Sequence, residues 1–108
     1  MKPTKLALFG LISAVLILSC KKDKVEDIQC DGSNPTYTGQ IRAIINANCT
    51  SSNCHPNYTT YSGLEGALQN GSFEREVLID QTMPRNGNLS ASELSKIKCW
   101  VENDFPEN

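Results

Sequence analysis

Long apolar segments, excess positive charge and internal repeats are all missing from this sequence, and each absence excludes a class of protein. An uncharged, largely apolar run covers residues 6–18, but a bilayer crossing takes about 20 residues. The 108 residues carry a formal net charge of −2, whereas nucleic-acid binding requires many lysines and arginines. The sequence therefore predicts no transmembrane helix and no nucleic-acid partner, and the lack of repeats argues against a repeat architecture.

Histidine and methionine are scarce. The chain has 1 histidine, His55, and 2 methionines, Met1 and Met83. Nothing in the sequence pairs a catalytic base with a nucleophile in the way that covalent catalysis needs. We therefore predict a protein that is not an enzyme. Any function that uses an imidazole must use His55, and one that uses a thioether must use Met83, because Met1 would leave with the N-terminal signal described next.

The N-terminus has the composition of an export signal. Lys2 and Lys5 precede the apolar run, whose length suits the core of a secretory signal. The run ends in "ILSC", which resembles the lipobox at which bacterial lipoproteins are cleaved. We predict a signal peptide over residues 1–19 and lipidation of Cys20. The mature protein would be an exported lipoprotein, anchored by lipid in the outer membrane on its periplasmic or cell-surface side.

One small domain follows the anchor. Residues 20–36 are mostly polar, and Val25 and Ile28 are the main apolar side chains among them. Such a segment buries too little to order itself, so we predict a flexible tether over 20–36 and a folded domain over 37–108. A domain of this size has a thin core and often needs disulfides or a cofactor.

The domain is predicted to be all-α, with three to four short helices. One helix covers about 39–48 with Thr38 as N-cap, and a second covers 61–70 between Thr60 and Gly71. A short piece over 73–79 leads into a loop, "MPRNGN", at 83–88. The last helix starts at the capping box formed by Ser90 and Glu93. Its apolar stripe is formed by Leu94, Ile97 and Val101, with Trp100 at the edge.

Export also constrains the cysteines, which tend to be paired or modified in an oxidising compartment. Besides Cys20, the chain has Cys30, Cys49, Cys54 and Cys99. Helical geometry turns Cys99 away from the apolar stripe of the last helix, where the segment carrying Cys30 can cross it. We therefore predict a disulfide between Cys30 and Cys99.

Cys49, Cys54 and His55 form the pattern C-x-x-x-x-C-H. A disulfide between the two cysteines would leave the histidine unexplained, and adjacent Cys54 and His55 are awkward ligands for one tetrahedral zinc. Covalent haem attachment uses all three: two thiols add to the porphyrin vinyl groups, and the histidine after the second thiol binds the iron. The usual spacing is C-x-x-C-H, so two residues within "TSSN" must bulge out.

Met83 is the remaining residue with suitable ligand chemistry. A single histidine excludes bis-histidine ligation within the chain, and methionine is the other common axial ligand. A lone methionine is usually core filler, but Met83 stands in a loop rich in proline, asparagine and glycine. We predict that it is the distal ligand of the iron.

These residues give the chain its resemblance to a known family. The segments "IRAIINANCTSSNCH", "YTTYSGLEGALQNGSF", "MP" and "LSASELSKIKCWVEND" resemble, in this order, small class I-type cytochrome c domains, including those of bacterial lipoproteins and planctomycete-type modules. The resemblance implies a cytochrome c-like helical fold around one covalent haem c. It assigns the thioethers to Cys49 and Cys54, the proximal ligand to His55 and the distal ligand to Met83.

The resemblance implies a mono-haem electron carrier that docks briefly with redox partner proteins. The haem surroundings and helix interface are predicted to be formed by Ile41, Ile45, Leu64, Leu68, Val77, Leu94, Ile97 and Val101. Two alternatives stay open. One is a haem protein with an open distal site, a sensor or peroxidase-like protein in which Arg85 would matter. The other is a non-haem, disulfide-stapled binding module with Cys49 joined to Cys54.

Overall fold

The computed structural model describes residues 24–50, 55–85 and 87–108. The predicted signal peptide, Cys20, Cys54 and Asn86 of the predicted loop lie outside these ranges. Every regular element in the described ranges is helical, which confirms the all-α prediction. Within those ranges, no helix combines the length and the apolarity that a membrane crossing requires.

The first helix begins as a π-helical turn over Tyr37–Ile41 and continues as α1, Arg42–Asn48. Its N-cap is Thr36, whose hydroxyl accepts a hydrogen bond from the backbone N–H of Gly39 at 3.0 Å. The sequence-based choice of Thr38 as the N-cap is therefore wrong.

The chain's C-terminal residues explain this earlier start. The backbone N–H groups of Tyr37 and Thr38 donate to the carbonyls of Pro106 and Glu107, each at 2.9 Å. The first N–H groups of a helix have no partner within the helix, and the C-terminal segment supplies partners here. No local pattern around Thr38 could show this, because the acceptors come from the opposite end of the domain.

Four helical elements follow among the described residues between α1 and the loop that carries Met83. They are a 3₁₀ turn over Pro56–Thr59, α2 over Tyr61–Gln69, α3 over Ser72–Glu74 and a π-helical turn over Arg75–Ile79. The piece predicted over 73–79 is therefore helical. The loop predicted from Met83 contains no regular element in its described residues.

The caps of α2 agree with the sequence prediction. The Thr60 hydroxyl accepts from the Gly63 N–H at 3.1 Å, and Gly71 follows the helix with a φ of 79°. Gly63 of this helix is required by close packing against a neighbouring backbone. A Cβ added there would lie 1.8 Å from the carbonyl oxygen of Asn57, so the 3₁₀ turn packs its backbone against α2. The close partner that requires glycine at this position is therefore the protein backbone of the 3₁₀ turn.

The last helix, α4, covers Ala91–Glu102 and starts at the predicted capping box. The Glu93 N–H donates to the Ser90 hydroxyl at 3.1 Å, and the Ser90 N–H donates to the Glu93 carboxylate at 2.8 Å. Both helix-start donors are thereby satisfied. This reciprocal pair confirms the prediction.

Trp100 of α4 is the centre of the core. It is fully buried, whereas the sequence pattern placed it at the edge of the apolar stripe. Its ring contacts those of Tyr37, Phe73 and Phe105, and its indole N–H donates to the carbonyl of Pro106 at 3.0 Å. The C-terminal segment covers the side of α4 that would otherwise face solvent. The rest of the core consists of Ile41, Ile45, Leu64, Leu68, Val77, Leu78, Leu89, Leu94 and Ile97.

Residues 24–36, which we call the strap, lie against the helices. Cys30 and Cys99 form a disulfide with an S–S distance of 1.99 Å, as predicted. The Ser95 hydroxyl donates to the carbonyl of Gln29. Val25 and Ile28 pack against the core. The expectation of a flexible tether does not hold for residues 24–36, because the disulfide and these contacts supply the order that composition alone does not.

The strap also changes the environment of Cys99. We expected this side chain on the outer face of the helix and not in the core, but its exposed fraction is 0 %. The predicted direction of the Cys99 side chain, away from the apolar stripe of α4, is compatible with the disulfide. The burial comes from the strap that crosses over it.

Candidate functional site

Cys49 stands at the C-terminal end of α1. Its backbone N–H donates to the carbonyl of Ile45 at 2.7 Å, which extends the helical hydrogen bonding to the cysteine itself. The side chain is half-buried and packs against the core. The first cysteine of the C-x-x-x-x-C-H pattern is therefore held by a helix end, as predicted. The second, Cys54, is outside the described residues.

His55 is held by the turn that follows it. Pro56 begins the 3₁₀ turn, and the Tyr58 N–H donates to the carbonyl of His55 at 3.0 Å. The imidazole stacks on the phenol ring of Tyr58, with ring centroids 4.4 Å apart and an interplanar angle of 7°. Stacking on one face restricts the ring's rotation and leaves its edge, where the nitrogens lie, available for bonding.

Tyr58 connects His55 with the rest of the site. Burial raises the pKa of the Tyr58 hydroxyl, and the negative charges of Glu76 and of a Cys49 thiolate raise it further. Such charge effects require that these groups lie near one another. Tyr58 therefore lies within electrostatic reach of both Cys49 and Glu76.

Glu76 in turn holds the loop that carries Met83. Its backbone carbonyl accepts hydrogen bonds from Thr82 at 2.9 Å and from Met83 at 3.2 Å. The Met83 side chain is half-buried and packs against the core. The loop therefore turns back toward the π-helical turn that precedes it, which places the backbone of Met83 beside Glu76.

We call these five residues the site cluster: Cys49, His55, Tyr58, Glu76 and Met83. His55 stacks on Tyr58, Tyr58 lies within electrostatic reach of Cys49 and Glu76, and the Glu76 carbonyl accepts from the Met83 N–H. Its donor chemistry suits a haem c, since it offers a thiol, an imidazole and a thioether, the groups used for attachment and axial ligation. Its half-buried side chains also leave surface that an apolar ring could cover. The described residues therefore fit the haem hypothesis.

The residues predicted both to surround the haem and to form the helix interface have only the second of these roles in the structure. Seven of the residues chosen from the sequence are buried, whereas Val101 is half-buried. Ile41, Ile45 and Ile97 have exposed fractions of 0 to 1 %, so other side chains already cover them completely. These residues form the interface between helices. A flat group added at the site cluster would meet half-buried residues such as Tyr58 and Met83 instead.

A second group of potential ligands surrounds the disulfide. A sulfur atom from each of Cys30 and Cys99 and a carboxylate oxygen of Asp31 lie within 4.8 Å of one another. Both sulfurs are used in the disulfide, and a metal would need thiolates. Hydrogen bonds from Ser33 lower the pKa of Asp31, and the charge of Lys96, 3.7 Å away, lowers it further. This group is structural.

Sequence reasoning missed three residues that organise the site. Neither Tyr58 nor Glu76 belongs to a recognisable sequence motif. Tyr58 follows His55 by three residues, and this spacing of one helical turn could have indicated that the two side chains are neighbours. Gln81 lies two positions before Met83 and bonds to a segment far away in the sequence, so nothing local reveals it. Arg85, considered for an open distal site, is exposed in the loop after Met83.

Comparisons with protein-family models, with curated proteins and with solved structures found no match to this chain. The resemblance to class I-type cytochrome c therefore depends on the residues themselves and on their arrangement.

Proposed function

We propose that the protein is a mono-haem c-type cytochrome that carries electrons at a membrane surface. The observation that supports this most is the site cluster. Met83 is far in the sequence from Cys49 and His55, yet it is linked to them. The Glu76 carbonyl accepts from the Met83 N–H, and Tyr58, which stacks on His55, lies within electrostatic reach of Glu76 and Cys49. Thiol, imidazole and thioether are the groups that hold haem c with histidine–methionine ligation.

In this proposal, Cys49 and Cys54 hold the porphyrin through thioether bonds, His55 is the proximal ligand, and Met83 is the distal ligand. When bound, the haem would supply one-electron chemistry by cycling between Fe(II) and Fe(III). The chain's own residues restrain the two ligands. Tyr58 limits the rotation of the His55 ring, and the Glu76 carbonyl holds the Met83 backbone.

With His55 and Met83 both holding the iron, the site would leave no place for a substrate there, which would suit a carrier rather than an enzyme. Methionine as the sixth ligand also raises the reduction potential. Partner proteins would exchange electrons during brief docking over a small interface. Lipid at Cys20 would keep the domain at the outer membrane, on its periplasmic or cell-surface side.

The test is an absorption spectrum of the protein made in cells that mature c-type cytochromes. Sharp bands after reduction with dithionite, retained by the protein after acid–acetone extraction, are the expected result. His55→Ala should change these bands most, because it removes the proximal ligand. Arg85→Ala is the matched control and should leave them unchanged, since Arg85 is exposed.

Two results would contradict the proposal in different ways. A colourless protein would favour the disulfide-stapled module with Cys49 joined to Cys54. Covalent haem whose spectrum is unaffected by Met83→Ala would favour the open distal site, because it would show that Met83 is not a ligand.

A further inference from the structure

Gln81 has an environment unlike that of any other polar residue in the loop before Met83. Only 8 % of it is exposed, and its backbone adopts a φ of 51°. Positive φ is uncommon for a residue with a side chain and persists where the surroundings hold it in place. Both observations indicate that the side chain is fixed by specific partners.

Those partners are the two backbone groups of one strap residue. The Val25 N–H donates to the Gln81 amide oxygen at 2.8 Å, and the Gln81 amide N–H donates to the Val25 carbonyl at 2.7 Å. The amide of glutamine matches this pair of groups because it carries one acceptor and one donor side by side. The primary amide thus bonds to the strap as a neighbouring β-strand would.

The loop between Gln81 and Met83 is consequently held at two points. Gln81 joins it to the strap, and the Glu76 carbonyl accepts from the N–H groups of Thr82 and Met83. The strap itself is joined to α4 by the disulfide of Cys30. A continuous series of bonds therefore connects the covalent staple with the backbone of Met83.

We propose that Gln81 is a positioning residue for Met83, and that the strap thereby maintains the distal ligand of the site. This inference depends on the proposed function, since it takes Met83 as an iron ligand. The strap lies within residues 20–36, the segment that the sequence predicts to join the lipidated Cys20 to the domain. Distal ligation is in this way coupled to the segment that connects the domain with the membrane.

The first test compares Gln81→Leu with the wild-type, haem-loaded protein. Loss of the amide pair should free the loop, lower the reduction potential and weaken the methionine-to-iron signal of the ferric spectrum, because methionine ligation is what raises the potential. In the haem-free protein, hydrogen exchange at the Met83 N–H should become about tenfold faster, because the loop opens more often once its attachment to the strap is lost, although the Glu76 carbonyl remains as the acceptor. Gln69→Leu, an exposed glutamine at the end of α2, is the matched control.

Gln81→Glu gives a sharper test because its effect depends on pH. A protonated glutamic acid keeps one donor and one acceptor and can replace the amide, whereas the carboxylate cannot donate to the Val25 carbonyl. The potential and the exchange rate should therefore be close to wild type at low pH and should approach those of Gln81→Leu as pH rises. The new carboxyl would share its groove with charged groups of the strap, the π-helical turn region and α4: Lys24, Glu26, Asp27, Glu74 and Lys98.

The outcomes separate the two proposals. Covalent haem with the same potential and the same methionine signal in wild type and Gln81→Leu would overturn the role of Gln81 and leave the carrier function standing. Absence of covalent haem would overturn the function and, with it, the role of Gln81 toward a ligand. Val25→Pro, which removes the strap's N–H donor, should have an effect that does not add to that of Gln81→Leu.

Discussion

We call the region of the strap and its disulfide the strap side, and the region of the site cluster the site side. Both regions contain cysteines, but these cysteines have different roles. On the strap side, Cys30 and Cys99 are joined to each other, and Cys99 is fully buried. On the site side, Cys49, His55 and Met83 are each half-buried and belong to the site cluster. One side is closed by a bond within the chain. The other presents chemistry that a covalent cofactor can use, so residue type alone does not decide a cysteine's role.

Removal of the disulfide should have the largest effect on stability. Cys30→Ser combined with Cys99→Ser opens a loop closed across 69 positions, which the chain-entropy account values at about 4 kcal/mol. Urea unfolding should report this loss as a lower midpoint. The covalent haem content of the folded protein should stay unchanged, because Cys49 and Cys54 are intact. An unchanged midpoint would show that the strap contributes little.

On the site side, alanine at the two glycines of α2 should change the stability of the protein in opposite directions. Gly63→Ala should destabilise the protein by about 1–3 kcal/mol, because the new methyl group meets the Asn57 carbonyl at 1.8 Å. Gly66→Ala should stabilise it by about 1 kcal/mol, since nothing lies within 4 Å of the added atom and alanine favours helix. Thermal unfolding of both variants provides the measurement. Equal effects would mean that the turn carrying His55 does not pack closely on α2.

The start of α4 offers a smaller effect. Ser90→Ala removes one half of the capping box and should cost about 1 kcal/mol in the free energy of unfolding. Ser92→Ala, at an exposed position of the same helix, should change it by less than about 0.5 kcal/mol. Chemical denaturation of the two variants makes the comparison, and a similar result for both would indicate that the cap does not stabilise the helix.

The smallest effect concerns pH on the strap side. The pKa of Asp31 is lowered in the folded protein, mainly by hydrogen bonds from Ser33 and less by Lys96. Folding therefore favours the carboxylate, so this contribution to stability is present above the unfolded pKa of about 3.9 and is lost as pH falls through the folded pKa. Asp31→Asn should flatten the dependence of the unfolding midpoint on acid pH, and Lys96→Gln should flatten it less. A flattening in Lys96→Gln as large as that in Asp31→Asn would make Lys96 the main cause and would contradict this order.

Sequence reasoning succeeded where the physical cause is local. The Ser90–Glu93 box and the Thr60 cap depend on residues three positions apart, and the structure contains both. The direction of the Cys99 side chain, away from the apolar stripe of α4, also follows from the geometry of its own helix and is compatible with the disulfide. These features need no knowledge of distant segments.

It failed where distant segments meet. The N-cap moved to Thr36 because carbonyls near the C-terminus accept from the first helical N–H groups. The strap is ordered through a disulfide and through Gln81, whose partner Val25 is 56 positions away. Within the site cluster, the ligands were chosen by chemistry, but Tyr58 and Glu76, which connect them, became visible only in three dimensions.

The most direct test of the central claim, that the site side holds a covalent cofactor whereas the strap side holds a disulfide, is mass spectrometry of the extracted protein and of its tryptic peptides. We predict that the peptide over residues 43–75, which contains both Cys49 and Cys54, carries the added mass of one haem, and that the peptides of Cys30 and Cys99 separate only after reduction. A 43–75 peptide without haem, lighter by two hydrogens than its reduced form, would show a Cys49–Cys54 disulfide and contradict the account.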